Sequence, residues 1–308
     1  MTGRDWDPAR PPDLTERTYA VTGGNAGIGY FTSEQLARAG ARVVLVARSR
    51  ERADAAARAI RAEVPDAVVE FVELDLTSLA SVARAARGLR ELGPLDGLVN
   101  NAGLVISPRR RQTTADGLEL LTGGNFFGHF ALTAQVLDVL TPAGRVVGLG
   151  SMSTRMVRLD PSDLLSVRRY EPFRAYAFSK HLVHGFAFEL DRRLRAAESG
   201  RASLLAHPGF AVTGLAASRP GVTDQAAWRR TTERVLFPLA GQGKDAGAWP
   251  TVRALTDPHA ESGMFFGPRR LLTGPPVPLA PVASSASPAF GAQLWALAER
   301  LTNVRFEL

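Results

Sequence analysis

The chain has 308 residues, which allows two domains at about 150 residues each or one long α/β domain. Its hydrophobic and charged shares, 45% and 22%, match a globular protein and exclude a fibrous or disordered one. With no cysteine, disulfides, thiolate metal sites and thiol nucleophiles are excluded. The net charge is +7, but only Lys180 and Lys244 are lysines among the 37 basic residues. The arginines are scattered among acids, apart from Arg109-Arg110-Arg111, and no nucleic-acid module accompanies them, so no nucleic-acid partner is expected. Such a charge suits an anionic ligand.

The first residues are charged and lack an apolar core, and no run of about 18 apolar residues follows. A cytoplasmic protein without a signal peptide or membrane span is the expectation. Residues 1–17 read as a polar arm. Tyr19-Ala20-Val21 reads as a strand ending in glycines, and Ile28 to Ala39 as a helix closed by Gly40. Arg42 to Ala47 is a nearly continuous apolar strand, Ala53 to Ala62 a helix, Val68 to Leu74 a strand and Leu79 to Leu92 a helix. Leu95 to Val99 reads as a strand, Thr114 to Leu140 as one long helix and Arg145 to Leu149 as a strand. Phe173 to Ala197 is a long helix and Ala202 to Ala206 a strand. Thr223 to Leu236 and Ala246 to Leu255 read as helices. Residues 263–288 read as loop with a short strand at Met264-Phe265-Phe266, and Phe290 to Leu301 as a closing amphipathic helix. Strands alternating with helices predict a doubly wound parallel sheet covered on both faces, in a single domain over 18–308.

The first strand runs into Thr22-Gly23-Gly24-Asn25-Ala26-Gly27-Ile28-Gly29 and then a helix. Gly23 permits a tight exit, Gly27 close approach to a pyrophosphate at the helix N-terminus, and Gly29 close helix–strand packing. An ordinary glycine turn is the alternative, but the strand–loop–helix context is the one a dinucleotide site requires. The second strand ends at Arg48 where an acid would select NAD; a guanidinium there suits the 2′-phosphate of NADP(H), with NAD(H) less favoured. Arg50 and Arg52 lie close by.

Tyr176 and Lys180 stand four residues apart at the start of a long helix and so share one face. In a chain with 35 arginines, a lysine kept at this spacing points to a compact ammonium with a task. An adjacent ammonium is expected to lower the phenol pKa, making Tyr176 a general acid–base partner for hydride transfer. Ser151 follows a strand at its carboxyl edge, where its hydroxyl meets a substrate oxygen, with Ser153 as a competitor. Asn125, an amide in an apolar helix, requires a buried partner: a helix carbonyl and a water leading to Lys180 are expected. His129, His181, His184 and His207 lack a metal motif and read as core or surface residues, with no metal expected. Phe126, Phe127 and Phe130 read as core.

Together these motifs resemble the short-chain dehydrogenase/reductase family over roughly residues 18–215. The matching segments are Thr22-Gly23-x-x-x-Gly27-Ile28-Gly29, Asp75-Leu76, Asn100-Asn101-Ala102-Gly103, Asn125, Ser151, Tyr176-x-x-x-Lys180 and Pro208-Gly209 with Thr213. Asn125-Phe126-Phe127-Gly128-His129-Phe130, His207-Pro208-Gly209 and Leu294-Trp295-Ala296-Leu297-Ala298-Glu299 resemble the retinol-dehydrogenase-like branch. The resemblance implies a Rossmann fold and an Asn125–Ser151–Tyr176–Lys180 tetrad. It implies that Asp75 and Leu76 border the adenine and that Asn101, Ala102 and Gly103 line the cofactor. Asn101 would also brace the strands, Pro208, Gly209 and Thr213 would meet the nicotinamide end, and Lys180 would hold the ribose. Gly150 stands where the family often has a second serine, and Gly148 where a polar or β-branched residue is common; both changes are expected to reshape the site.

The expected activity is NADP(H)-dependent interconversion of a ketone or aldehyde and its alcohol. Two alternatives stand beside it: a cofactor-binding protein without turnover, marked by NADPH binding without consumption, and a non-redox cyclase or dehydratase, marked by product without net cofactor oxidation. The segments 152–173, 214–250 and 263–288, with Met152, Met156, Leu215, Trp228 and Phe237 among arginines, suggest a largely apolar, medium-sized substrate. The helices 114–140 and 173–197 offer surfaces for a homodimer, with a monomer equally open.

Overall fold

A computed structural model describes residues 6–236 and 241–308, so Phe237 and the first five residues of the arm lie outside it. Eight strands of the described chain form one twisted sheet. In chain order these are β1 (Thr18–Thr22), β2 (Arg42–Ala47), β3 (Val69–Glu73), β4 (Leu95–Asn100), β5 (Leu140–Leu149) and β6 (Ala202–Ala206). After them come the two-residue strands β7 (Ala211–Val212) and β8 (Gln242–Gly243), which pair with each other, then β9 (Phe265–Pro268) and β10 (Pro276–Pro278). The order across the large sheet is β10-β9-β6-β5-β4-β1-β2-β3. Its neighbours are parallel except β9 and β10, which are antiparallel. The expectation of a parallel sheet therefore holds with one amendment, an antiparallel edge in the stretch read as mostly loop. Prolines at both ends of β10 are compatible with an edge strand, where an absent N–H breaks no ladder.

The interior strands are buried over almost their whole length, as sheets covered on both faces demand. One face carries α1 (Gly27–Arg38), α2 (Arg50–Glu63) and a helix near the end, Lys244–Thr256. The other carries α3 (Leu79–Glu91), the helical run from α4 (Leu120–Thr122) to α5 (Gly128–Val136), and a 25-residue helix, Pro172–Ala196. The remaining helices are α6 (Ser153–Met156) and, numbering the long helix α7, α8 (Ala227–Leu236), α9 (Lys244–Thr256), α10 (Ala283–Ala286) and α11 (Pro288–Thr302). The strand order reverses between β1 and β4, opening the crevice at the carboxyl edge where ligands of such sheets sit.

The single helix expected over Thr114–Leu140 is broken. Thr113 bridges Glu119, α4 begins after it, Gly123–Phe127 winds as a π turn, and β5 already starts at Leu140. The uniformly apolar sequence conceals these changes because every side chain of the turn is buried whichever winding it takes. The arm is also less detached than its composition suggests: Leu14 is buried and Trp6 donates to Thr256 Oγ1 at 3.0 Å.

The chain's own α11 packs on α7 and α5. Trp295 packs edge-on to Phe130 at 5.3 Å and against Phe306 at 4.6 Å, with Phe186 at 5.9 Å and the Arg193 guanidinium 4.2 Å from its ring. The segment after β7 is fastened at its start, where half-buried Arg219 forks onto buried Glu34 of α1 at 2.6 and 2.8 Å. Trp295→Ala is expected to cost about 3–5 kcal/mol in chemical denaturation, the range for emptying a core aromatic site. A cost below about 1 kcal/mol would show that α11 is not part of the core.

Candidate active site

The glycine loop leaves β1 with Gly23 N–H donating to Val46 O at 2.8 Å, so the chain turns tightly over the end of β2. Gly27 takes φ +59°, a value that favours glycine. A Cβ on Gly29 would drive into the Gly23 carbonyl and the Asn101 amide, so α1 can lie this close to the sheet only without one. Ala26 caps α1 without any side-chain bond, leaving the first-turn N–H groups of Gly27, Ile28 and Gly29 beside half-buried Asn25 for an anion.

Thr22 and Asn101 lock this loop to β4. Thr22 Oγ1 receives the N–H groups of Asn101 and Ala102 at 2.9 Å each, and Asn101 Nδ2 donates to Thr22 O at 2.7 Å. The expected bracing role of Asn101 is thus visible in its bonds. Gly103 continues this edge, and the position of a Cβ on it would lie 3.2 Å from Asn125 Oδ1 and 3.6 Å from Lys180 Nζ.

Gly103 lies between Asn125 and Lys180. Asn125 sits in the middle of the π turn, a winding that often marks functional positions. Its amide clamps the loop after β4: Oδ1 accepts from Leu104 N at 2.6 Å, and Nδ2 donates to Leu104 O at 3.1 Å and Ser179 Oγ at 2.9 Å. The carbonyl it holds is therefore that of a loop residue, not the expected helix carbonyl, because the π turn aims the side chain across to the strand edge. Ser179 Oγ in turn donates to Tyr176 O at 2.7 Å. Ser151 is the polar neighbour that acts on the Tyr176 phenol, and its hydroxyl accepts from Ser153 N at 3.2 Å, whereas Ser153 Oγ is buried without a partner among the described residues.

Lys180 is 5% exposed and donates to Leu149 O at 2.9 Å. Burial pushes its ammonium down to about 8. The Tyr176 phenol moves opposite to expectation. Burial raises it above its ordinary value, the Ser151 hydrogen bond counteracts this, and Lys180, held to the Leu149 carbonyl, is no opposing influence. The i, i+4 spacing puts the two side chains on one face without pairing them.

The remaining candidates lie along the same edge. Arg48 is exposed beyond β2 and has no hydrogen bond or ion pair to the described residues. Its neighbours are committed: Ser49 caps α2 by accepting from Arg52 N, and Arg50 lies 4.5 Å over the Phe71 ring and 3.9 Å from Asp54. Asp75 Oδ1 accepts from Thr77 N and Oγ1, fixing the loop after β3 that carries Leu76. Beyond β6, Pro208 O accepts from Gln242 Nε2 at 2.8 Å, Gly209 N donates to His207 Nδ1 at 3.1 Å, and Thr213 opens a short helical turn. Gln242, which also takes Gly274 N on its Oε1, is a brace the sequence reading missed.

The histidines serve as buried polar struts. His129 spans Thr22 Oγ1 and the Asn125 main-chain carbonyl, at 2.9 and 3.0 Å, and burial pushes it down to about 4. His181 joins Ser285 Oγ and Val157 O, and His207 meets Leu271 O. His184 explains Gly150: its Nε2 accepts the Ser151 N–H at 3.3 Å, and a Cβ on Gly150 would collide with that nitrogen. The missing serine and the imidazole therefore form one adjustment.

The short chain dehydrogenase family model matches residues 17–220. The chain is 37% identical to the polyprenol dehydrogenase of Mus musculus over 97% of its length and 88% of that protein. It is 34% identical to human retinol dehydrogenase 13, covering 94% and 85% of the two chains. A crystal structure of an uncharacterized Mycobacterium paratuberculosis protein superposes with a TM-score of 0.80 at 35% identity, over 98% and 99%. A Burkholderia cenocepacia short chain dehydrogenase solved with NADP shares the fold, with a TM-score of 0.60 at 24% identity over 79% and 92%. The fold, the site and these relatives define an oxidoreductase scaffold. The chain belongs to the short-chain dehydrogenase/reductase family, in its retinol-dehydrogenase-like branch.

Gly150→Ser is expected to lower the melting temperature by several degrees, because its side chain must displace the His184 ring. Adding His184→Val is expected to recover most of that loss. If the single variant melts like wild type, the two positions are not in steric contact.

Proposed function

We propose that the protein is an NADP(H)-dependent oxidoreductase that interconverts a largely apolar carbonyl compound and its alcohol, with Tyr176 as general acid–base residue. The observation that carries this reading is that Asn125 and Lys180 meet at Gly103, on the edge shared with the glycine loop, while Ser151 acts on the Tyr176 phenol. The open first turn of α1 and the glycine at each close approach fit a dinucleotide pyrophosphate. Gly23, Asn25, Gly27, Ile28 and Gly29 would hold that group, Asp75 and Leu76 border the adenine, and Asn101, Ala102 and Gly103 line the path between. Pro208, Gly209 and Thr213 would receive the nicotinamide end, and Lys180 its ribose. The bound dinucleotide supplies a hydride.

The residues of the chain do the rest. Ser151 orients the substrate oxygen and acts on the Tyr176 phenol. Burial keeps Tyr176 protonated through the neutral range, the form that donates to a carbonyl oxygen, so reduction is the direction its protonation state favours. Asn125 fixes Leu104 and, through Ser179, the turn of α7 that carries Tyr176.

Arg48 supports NADP(H): it is an uncommitted cation at the first position after β2, where no acid competes for the ribose. The NADP found in the Burkholderia cenocepacia relative agrees with this reading. The apolar character of the substrate is supported by exposed Val105 and Ile106 after β4, Met156 after β5, Phe210 after β6, and Trp228 in α8. Val105, Ile106 and Phe210 stand on loops leaving the carboxyl edge and Met156 ends the short helix α6 there, where exposed apolar surface marks a binding region. The names of the relatives, which refer to polyprenol and retinol, point the same way.

Tyr176→Phe is expected to retain NADPH binding while losing about 10²–10⁴-fold in kcat on apolar aldehydes. Full activity in that variant would remove the mechanism. Arg48→Ala is expected to weaken NADPH about tenfold or more and leave NADH unchanged, measured by nicotinamide fluorescence. Equal loss for both would make Arg48 a general surface cation. Lys180 is charged below about 8 and neutral above it, so kcat/KM is expected to be flat below that pH and to fall above it. A profile that rises through this range would contradict the role given to its ammonium.

A further inference from the structure

Lys244 is the first residue of α9, where a cation opposes the helix dipole, and Gly243 before it supplies no side-chain cap. Its side chain gains nothing locally from that position. The ammonium is partly buried rather than turned out to water, and burial lowers its pKa from the ordinary lysine value. It points to the glycine loop: a Cβ on Gly27 would lie 3.6 Å from Lys244 Nζ and 3.9 Å from its Cδ, and among the described residues nothing else outside Gly27's chain neighbours and the α1 main chain comes within 4 Å of that point. Gly27 opens α1, whose N-cap also lacks a side-chain bond.

Two helix N-termini and an ammonium therefore converge from the two ends of the chain. Among the described residues, no carboxylate oxygen lies within 4.0 Å of Nζ. Asp245 follows on the same turn without reaching it, and the acid whose field it feels, Glu233, already accepts from Gly214 N at 2.6 Å and Gln225 Nε2 at 2.8 Å. Among the described residues the ammonium is thus left without a direct ion pair, with Glu233 acting on it only through its field. Lysine is also used at only one other position in the chain, Lys180 in the tetrad. A compact point charge fits between two backbone segments where a planar guanidinium does not.

We propose that Lys244 is a phosphate-binding residue, which closes over the pyrophosphate of the dinucleotide from the side opposite the main-chain N–H groups of α1. The inference rests on the dinucleotide site proposed above. It gives the segment after β7 a second attachment: Arg219 fastens its start to α1, and Lys244 fastens its end to the occupied cofactor site.

The test is equilibrium binding to purified full-length protein, with NADPH followed by fluorescence and with ADP-ribose and adenosine 2′-monophosphate as its competitors. Lys244→Gln is expected to weaken NADPH and ADP-ribose each by about ten- to a hundredfold, as for loss of a charge-assisted bond, and to flatten the salt dependence of binding. Adenosine 2′-monophosphate, which has no pyrophosphate, is expected to bind as to wild type. Lys244→Arg is expected to recover only part of the loss. If Lys244→Gln binds NADPH and ADP-ribose like wild type, or weakens all three ligands equally, the inference is overturned and the dinucleotide site stands. If wild type itself binds neither NADPH nor NADH, the proposed function fails and this inference with it.

Discussion

The hydroxyl of Thr22 holds the site together. It has one proton and two lone pairs, and each is used. The N–H groups of Asn101 and Ala102 occupy the lone pairs. The Asn125 main-chain carbonyl can only accept, so His129 carries its proton on Nδ1 and offers a bare Nε2 to the Thr22 hydroxyl at 2.9 Å, with Val99 O nearby at 3.1 Å. All of this is sealed from water, and burial keeps His129 neutral, as the arrangement requires. A buried network with every valence used is rigid, and losing one member leaves the others unpaired at about 1–3 kcal/mol each.

From that hydroxyl a continuous chain of bonds runs to the reaction centre. His129 grips the π turn, the amide of Asn125 grips Leu104 and Ser179, and Ser179 grips the carbonyl of Tyr176. The glycine loop and the main chain of Tyr176 are thus placed by one framework. His184 adds a second support by taking the Ser151 N–H, at the cost of any side chain on residue 150. Gly150, one of the two departures from the common pattern, is thus accounted for by the imidazole that fills its side-chain space.

Much of this was legible in the sequence, and the reasons differ by element. β2 and β6 begin and end at the residues expected, because a strand buried on both faces leaves an unbroken apolar run between polar ends. The helical run before β5 was misread because apolar residues fill α-helical and π windings alike; the pair Gly123-Gly124 was the available signal. β10, with proline at both ends, does not read as a strand until its edge position is known. The spacing of Tyr176 and Lys180 was legible from the helix period, and their grouping with Asn125 and Ser151 came from the family resemblance. The electrostatics of Tyr176 was not legible, because spacing along a helix cannot show that Lys180 is engaged by a strand carbonyl. Lys244 stood out by its rarity, yet its place above Gly27 depends on the packing of α9 against α1.

The most direct test of hydride chemistry in this site uses NADPH carrying deuterium at the transferable position of the nicotinamide. The protein is incubated with it and a panel of long-chain apolar aldehydes, and the alcohols are analysed by mass spectrometry. The account predicts a single deuterium on the carbinol carbon of at least one product in wild type and none in Tyr176→Phe. Product without deuterium, or equal transfer in the variant, would contradict it.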